Sequence, residues 1–528
     1  MCPHGEARND AHEYTWHMNN LGTLLPRQTL YRPDQLAIVF EDTRLTFRQF
    51  GERVNQLSNA LRSLGVSKGD KIATVLPNCL EQLDVYWAAA QTGAVVVPLS
   101  PLLRRGGLKR LLDDSDSVLV VTDRSFTPHL NEVRGDLSKL HPDRLLVVDG
   151  PVDGYVTYQD VVDNSSASPP QPVDIRGDDP YNIIYSSGTT GLPKGIVHTH
   201  RIRTAYCTNF SSRCRFTMES VAAHAGSLVF NGAFLTLMPA MYLGIPFIFT
   251  RQFDASKLIE LIELEGITHI WMVPSQVVAM LNAPNFDPAR LQSLEMLGSL
   301  GAPLLMEHKQ AIANALPNCF YELYGLTEGF MTILDPSDFT RKTESVGCPD
   351  ALSEMRIERS DGSICDHHEV GEIVGRSPTT MPGYYKRPDL TKETLRDGWL
   401  HSGDLGYVDE DGFLYLVDRE KDLIISGGVN VYPRDIEEII ARHPAVREVA
   451  VFGIPDEQWG ETPLAAVILR ELDHVSEAEL RQWTNERVEA RYQKISSVVF
   501  MNDFPRNTAG KTLKREMREP YWKKHDTQ

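Results

Sequence analysis

From Phe47 the apolar residues recur at three- and four-residue steps, through Phe50, Val54, Leu57, Leu61 and Leu64. This spacing predicts an amphipathic helix that buries one stripe. Thr46 can cap its start, because a threonine hydroxyl accepts from amides that lack a partner in the first turn, and Gly65 can end it. The period then changes. Residues 71–76, 94–98, 118–121, 145–148 and 181–185 are short, continuous apolar runs that read as strands buried on both faces, with a second helix over 80–91. Helices alternating with such strands predict parallel sheets covered by helices. A second α/β stretch is expected from 198 to about 332, with a helix near 255–265 and a strand over 267–273. Beyond it, Asp361-Gly362, Asp397-Gly398 and Asp411-Gly412 separate short strands, which predicts a small β-rich subdomain. After Arg419 the pattern shifts again, to a compact α+β segment that closes the chain.

The 528 residues are enough for two or more domains. Net charge is −18, from 53 basic and 71 acidic side chains. Such a surface repels nucleic acid and anionic membrane, so an anionic ligand must meet local positive charge. No run approaches the ~20 apolar residues of a membrane helix. The first residues carry no apolar signal core, and the last are no peroxisomal address, so the expected location is the cytoplasm, without stable membrane insertion. Seven scattered cysteines without paired spacing fit the same reducing compartment. Cys365-Asp366-His367-His368 lacks a second ligand cluster and reads as an exposed hairpin, with no metal.

Residues 185–195 read Tyr-Ser-Ser-Gly-Thr-Thr-Gly-Leu-Pro-Lys-Gly and follow the buried run at 181–185. Three glycines allow a tight loop whose amides converge, and Ser186, Ser187, Thr189, Thr190 and Lys194 add hydroxyls and a cation suited to phosphate oxygens. The ordinary nucleotide P-loop is excluded, because its register after Gly188 requires glycine where Pro193 stands. Five further segments carry chemistry. In 321–328 a tyrosine face can stack on a purine, Thr327 can bond phosphate, and Glu328 can hold a hard cation. Asp404 follows a tight turn in 398–404, where its two acceptor oxygens suit ribose hydroxyls. Residues 418–422 form a charged junction where the composition changes, and read as a hinge. Gly427-Gly428 offers bare backbone for close approach of a thin ligand, and Lys511 sits on a glycine-bearing loop.

Together these segments resemble the adenylate-forming superfamily: AMP-forming acyl- and aryl-CoA synthetases, beetle luciferases and the adenylation domains of peptide synthetases. The resemblance runs from about residue 45 to about residue 514, with the motifs in the family's order. It implies an α/β fold with a large N-terminal domain of two α/β subdomains plus a β-barrel-like subdomain, and a small mobile α+β C-terminal domain. The expected boundaries are 1–418, a hinge at 419–421, and 422–528. It implies ATP, Mg2+ and coenzyme A as co-substrates and cofactor, and a carboxylic acid that is converted to acyl-adenylate and then to thioester. By motif, Ser186, Ser187, Gly188, Thr189, Thr190 and Lys194 would hold the β- and γ-phosphates, and Thr327 the α-phosphate. Glu328 would bind Mg2+. Gly301, Ala302, Pro303, Tyr324 and Gly325 would frame the adenine, and Asp404 and Arg419 the ribose. Lys511 would bridge the carboxylate and α-phosphate, Lys421 would be the hinge, and Gly427 and Gly428 would line the pantetheine tunnel.

The acyl pocket implied by the resemblance is Phe230, Asn231, Gly232, Leu300, Gly301, Leu323 and Gly325. Phe230 stands where relatives carry histidine, a departure that speaks against a histidine gate and is compatible with an aromatic one. Asn231 faces the acid or is satisfied by backbone. Leu323 stands where long-tunnel relatives carry glycine, and shortens the pocket toward a short, medium or aromatic acid. The leading expectation is a carboxylate–CoA ligase, with three alternatives: an enzyme loading a carrier protein's phosphopantetheine, a luciferase-like oxygenase, and an inactive nucleotide or acyl sensor. A homodimer is the default expectation for a chain of this type.

Overall fold

The computed structural model describes residues 20–525 apart from 104, 138, 187–193, 420–421, 427–428, 457, 471–474, 489 and 507–511. After a helix at Leu24–Tyr31, the helix expected from the apolar stripe forms as Phe47–Ser63. The Thr46 hydroxyl accepts from the Gln49 amide while the Gln49 side chain accepts from the Thr46 amide, a reciprocal cap. Phe47, Phe50, Val54, Leu57 and Leu61 are fully buried. The following helix, Leu80–Thr92, ends at Gly93 in the left-handed conformation.

Among the described residues the strands form four sheets. The first runs Val156–Thr157, Leu145–Val147, Ser117–Thr122, Lys71–Val75, Val95–Leu99, Pro180–Ser186, Lys194–Thr199. Its pairs are parallel until the last two strands, which form an antiparallel hairpin. The second sheet has a parallel centre: Phe320–Gly325, Met296–Leu300, His269–Met272, Ala222–His224, Phe247–Phe249 and Leu36–Phe40. Met331–Leu334 with Cys348–Pro349 closes one edge antiparallel, and Thr43–Thr46 the other. The chain's first strands therefore belong to the second sheet, a crossover that local periodicity does not reveal.

The β-rich subdomain is an antiparallel sheet of Glu354–Glu358, Gly371–Arg376, Trp399–Val408, Leu395–Arg396 and Leu414–Arg419. Its three Asp-Gly turns put Gly362, Gly398 and Gly412 at φ near +80°. A smaller C-terminal α+β part follows, with the long ribbon Val446–Asp456 and Gly460–Leu469 at its centre. The fold is mixed α/β, a large N-terminal part with a small C-terminal one. Among the described residues no helix is long and apolar enough to cross a membrane.

Candidate functional site

The parallel strands of the second sheet end on one edge, where open α/β sheets bind ligands because loops diverge there. Three of these ends carry the residues singled out by sequence. Past His224 the chain enters the segment 225–232, pinned from the first sheet's side. Asn78 Nδ2 donates to the Gly226 and Thr250 carbonyls at 2.8 and 2.9 Å, Asn78 Oδ1 accepts from the Leu228 amide, and Tyr86 Oη donates to the Leu228 carbonyl at 2.7 Å. Past Leu300, Gly301 turns with φ +87° and leads Ala302 and Pro303 along an exposed rim. Leu300 pairs with Leu323 across the ladder, and a Cβ built on Gly232 would lie 3.6 Å from Leu300 Cδ1. Gly232, Leu300, Leu323 and Gly325 thus form one wall, with Asn231 beside it.

Past Gly325 a tight turn joins Phe320–Gly325 to Met331–Leu334, closed by the Leu326 amide donating to the Phe330 carbonyl and the Gly329 amide to the Leu326 carbonyl. Thr327 and Glu328 sit on its tip. Gly329 has φ +120°, and a Cβ there would lie 2.0 Å from the Thr379 carbonyl oxygen, so only glycine fits. The segment 379–385 knots this tip to the first sheet. The Met381 amide donates to the Glu328 carbonyl at 2.8 Å, and the Tyr385 amide to the Gly195 carbonyl at 2.7 Å. Tyr384 forms a bridge with Ile196.

These contacts bring charge together. Tyr384 Oη donates to Glu328 Oε1 at 2.8 Å, and Lys194 Nζ lies 5.3 Å from the centre of the Tyr384 ring. Burial, and then the Glu328 charge, push the Tyr384 phenol well above its usual range, so it stays a donor. One Glu328 oxygen is thereby oriented while the carboxylate keeps further lone pairs, which fits a hard cation held mainly by phosphates and water. On the other side, Tyr324 Oη donates to Asp404 Oδ2 at 2.9 Å. Asp404 is 7% exposed and is the ladder partner of Arg419. Glu372 braces the turn before Asp404, accepting from the Gly403 amide at 3.0 Å and pairing with His401 Nδ1 at 2.8 Å.

A deeper group holds the hairpin tip from below. Thr327's carbonyl oxygen lies 2.8 Å from His198 Nε2, and His198 Nδ1 lies 3.2 Å from Arg203 Nη2. Burial, and then the Arg203 charge, hold the His198 imidazole well below its usual range, so it is neutral. Arg203 Nη1 donates to Asn231 Oδ1 at 2.8 Å, and Asn231 Nδ2 to Tyr206 Oη at 3.1 Å. Asn231 is thus satisfied by two side chains, where backbone had been the alternative.

The structure gathers Ser186, Lys194, Asn231, Gly232, Leu300, Gly301, Leu323, Tyr324, Gly325, Thr327, Glu328 and Asp404 on this edge, and Phe230 precedes Asn231 in the pinned segment. Ser187, Gly188, Thr189, Thr190, Lys421, Gly427, Gly428 and Lys511 lie outside the described residues. Sequence reasoning missed Tyr384, Glu372, His198 and Arg203. A signal existed for the first, since Gly383-Tyr384-Tyr385 is a glycine-aromatic cluster between strands.

A family model described as AMP-binding enzyme matches residues 25–385, and one described as AMP-binding enzyme C-terminal domain matches residues 435–511. The chain is 33% identical over 516 residues to the long-chain-fatty-acid–CoA ligase FadD13 of Mycobacterium tuberculosis, covering 96% of this chain and 99% of that one. It is 31% identical over 506 residues to a 2-succinylbenzoate–CoA ligase of Bacillus cereus, covering 95% and 99%. The anthranilate CoA ligase AuaEII, solved with anthranoyl-AMP, superposes with a TM-score of 0.88 at 25% identity over 96% of this chain and 98% of that one. The chain belongs to the family of AMP-binding, adenylate-forming enzymes. Within it, the chain is an AMP-forming acyl-CoA synthetase, an acid–thiol ligase.

Proposed function

We propose that this site activates a compact carboxylic acid with ATP and passes the acyl group to coenzyme A, using the residues assembled around the Thr327–Glu328 tip. The observation that carries the reading is the convergence of Lys194, the Tyr384–Glu328 pair and the Tyr324–Asp404 pair beside an apolar wall. Opposite charges and a purine-sized aromatic face meet where an acid's tail can be buried.

In the first step a carboxylate oxygen forms a bond to the α-phosphorus, and the bond to the β-phosphate oxygen breaks, giving acyl-adenylate and pyrophosphate. Two anions must approach, so donors fixed in advance dominate the barrier. Lys194 and the hydroxyl loop bind the β- and γ-phosphates, and Thr327 orients the α-phosphate. Tyr324 lies against the adenine, while Asp404 with Arg419 accepts from and orients the ribose. Glu328, steadied by Tyr384, would hold Mg2+, which supplies charge neutralisation for the phosphates. Lys511 bridges the carboxylate and the α-phosphate. In the second step the thiol of coenzyme A attacks the acyl carbon, the mixed anhydride breaks, AMP leaves with the oxygen, and the thiol proton is released to solvent. Rotation of a C-terminal domain, 422–528, about a hinge at 419–421 withdraws Lys511 and brings Gly427-Gly428 to the thiol's path. The enzyme acts in the cytoplasm.

The Leu300–Leu323 pair supports an acid of short, medium or aromatic type, because both side chains occupy volume that a long chain needs. AMP release with coenzyme A across aliphatic acids of graded length, benzoates and cinnamates tests this. Turnover should fall beyond medium length and recover for longer acids in Leu323→Gly. Best turnover with a long-chain acid in the unaltered enzyme would overturn the assignment, as would activity only with a carrier protein.

A further inference from the structure

Arg203 is fully buried on the helix His200–Arg213, and no carboxylate pairs with it among the described residues. A buried guanidinium without an anion is costly, and where only packing matters an apolar side chain of similar volume serves better. The cost is offset here by neutral partners. Nε donates to Asn182 Oδ1 at 2.9 Å, Nη1 to Asn231 Oδ1 at 2.8 Å, and Nη2 to His198 Nδ1 at 3.2 Å. The group also lies 3.9 Å over the Phe234 ring. These partners are not arbitrary. Asn182 and His198 sit on the paired strands Pro180–Ser186 and Lys194–Thr199, and Asn231 sits beside the acyl wall.

We propose that Arg203 is a positioning residue that ties Asn231 at the acid site to the main chain of Thr327, acting through His198. An arginine can only donate, so its bond fixes His198 Nδ1 as an acceptor. The proton then resides on Nε2, which donates to the Thr327 carbonyl. Asn231 is oriented by the same cation, with its amide nitrogen turned to Tyr206. The line Asn231–Arg203–His198–Thr327 therefore joins the wall that meets the acid to the turn beside the α-phosphate. The proposal rests on the functional reading of Asn231 and Thr327, but its structural half is testable without turnover.

The structural half is read from the 15N shifts of the His198 ring in the full-length protein. The neutral imidazole should show a protonated Nε2 and a bare Nδ1, and Arg203→Met should weaken that preference, leaving the Thr327 carbonyl to hold the Nε2 proton. In acid-dependent ATP–pyrophosphate exchange, Arg203→Met should lower kcat and raise KM for both acid and ATP, with kcat/KM down about tenfold or more. Arg203→Lys should recover part of this, because one donor returns. His198→Phe, which keeps the ring's bulk, should lose ATP-linked activity while KM for the acid stays nearer to that of the unaltered enzyme. The double variant should be no worse than the worse single one, the mark of residues acting in series. The proposal is overturned if Arg203→Met only lowers the melting temperature and leaves kcat and both KM values within twofold. It is equally overturned if His198 is protonated on Nδ1, or if the two substitutions add fully. Should Arg203→Met fail to fold, Arg203→Lys and His198→Phe carry the same test. If no acid supports exchange in the unaltered enzyme, the functional reading fails, while the tautomer still decides the structural half.

Discussion

Tyr384→Phe removes one oxygen and leaves the ring on which Lys194 rests, so it isolates the hydrogen bond to Glu328. That bond is 2.8 Å long and joins a phenol to a carboxylate beside a buried ring, 6% exposed. A hydrogen bond to a charged acceptor contributes about 1.5–3 kcal/mol, and the partial exposure of Glu328 favours the lower half of that range. If the carboxylate's orientation matters in the transition state, about 2 kcal/mol corresponds to a roughly 30-fold loss in kcat/KM. The assay is acid-dependent ATP–pyrophosphate exchange at several Mg2+ concentrations. The half-saturating Mg2+ concentration should rise together with the loss of rate, because the freed carboxylate must be reordered. Glu328→Gln should be at least as impaired, and combining the two should add little. Exchange within twofold of the unaltered enzyme, with an unchanged Mg2+ requirement, would refute the coupling of Tyr384 to Glu328.

Three further outcomes follow from the same account. Lys511→Ala should block adenylation yet still convert supplied acyl-adenylate and coenzyme A to thioester; unimpaired pyrophosphate exchange would remove that lysine from the first step. Lys421→Pro should retain adenylation and lose thioester formation, as expected if the two half-reactions need different domain positions; equal loss of both half-reactions would place the hinge elsewhere. Burial lowers the imidazoles of His200, His224 and His269 to about 4 in the native chain, against about 6.5 when unfolded. The unfolded chain then binds more protons between these values, so stability falls as pH drops through that window, by about 2 kcal/mol per histidine between pH 7 and 5. Urea midpoints that do not move between pH 7 and 5 would contradict this.

Much of the scaffold is legible in local pattern because each element carries its own boundary chemistry. The helix Ala255–Glu265 starts where the Asp254 side chain accepts from the Lys257 amide and stops at Gly266 in the left-handed conformation. The strand Lys71–Val75 sits where a continuous apolar run must be covered on both faces. Leu36–Phe40 escapes such reading, since its sheet partner Phe247–Phe249 lies far along the chain. The same distinction divides the site. Lys194, Thr327, Glu328 and Asp404 stand in compact motifs whose residue types announce phosphate, cation and ribose chemistry. Tyr384, Glu372, His198 and Arg203 act through contacts between distant segments, such as the Tyr384 hydroxyl on Glu328. Nothing local distinguishes a core histidine or arginine from one that orients a turn.

The most direct test of the central claim follows an oxygen atom. An accepted acid carrying 18O in its carboxylate, incubated with ATP, Mg2+ and coenzyme A, should transfer one labelled oxygen to the AMP released, and the thioester should keep the other. Unlabelled AMP, or ADP and inorganic phosphate as the nucleotide products, would contradict activation through an acyl-adenylate.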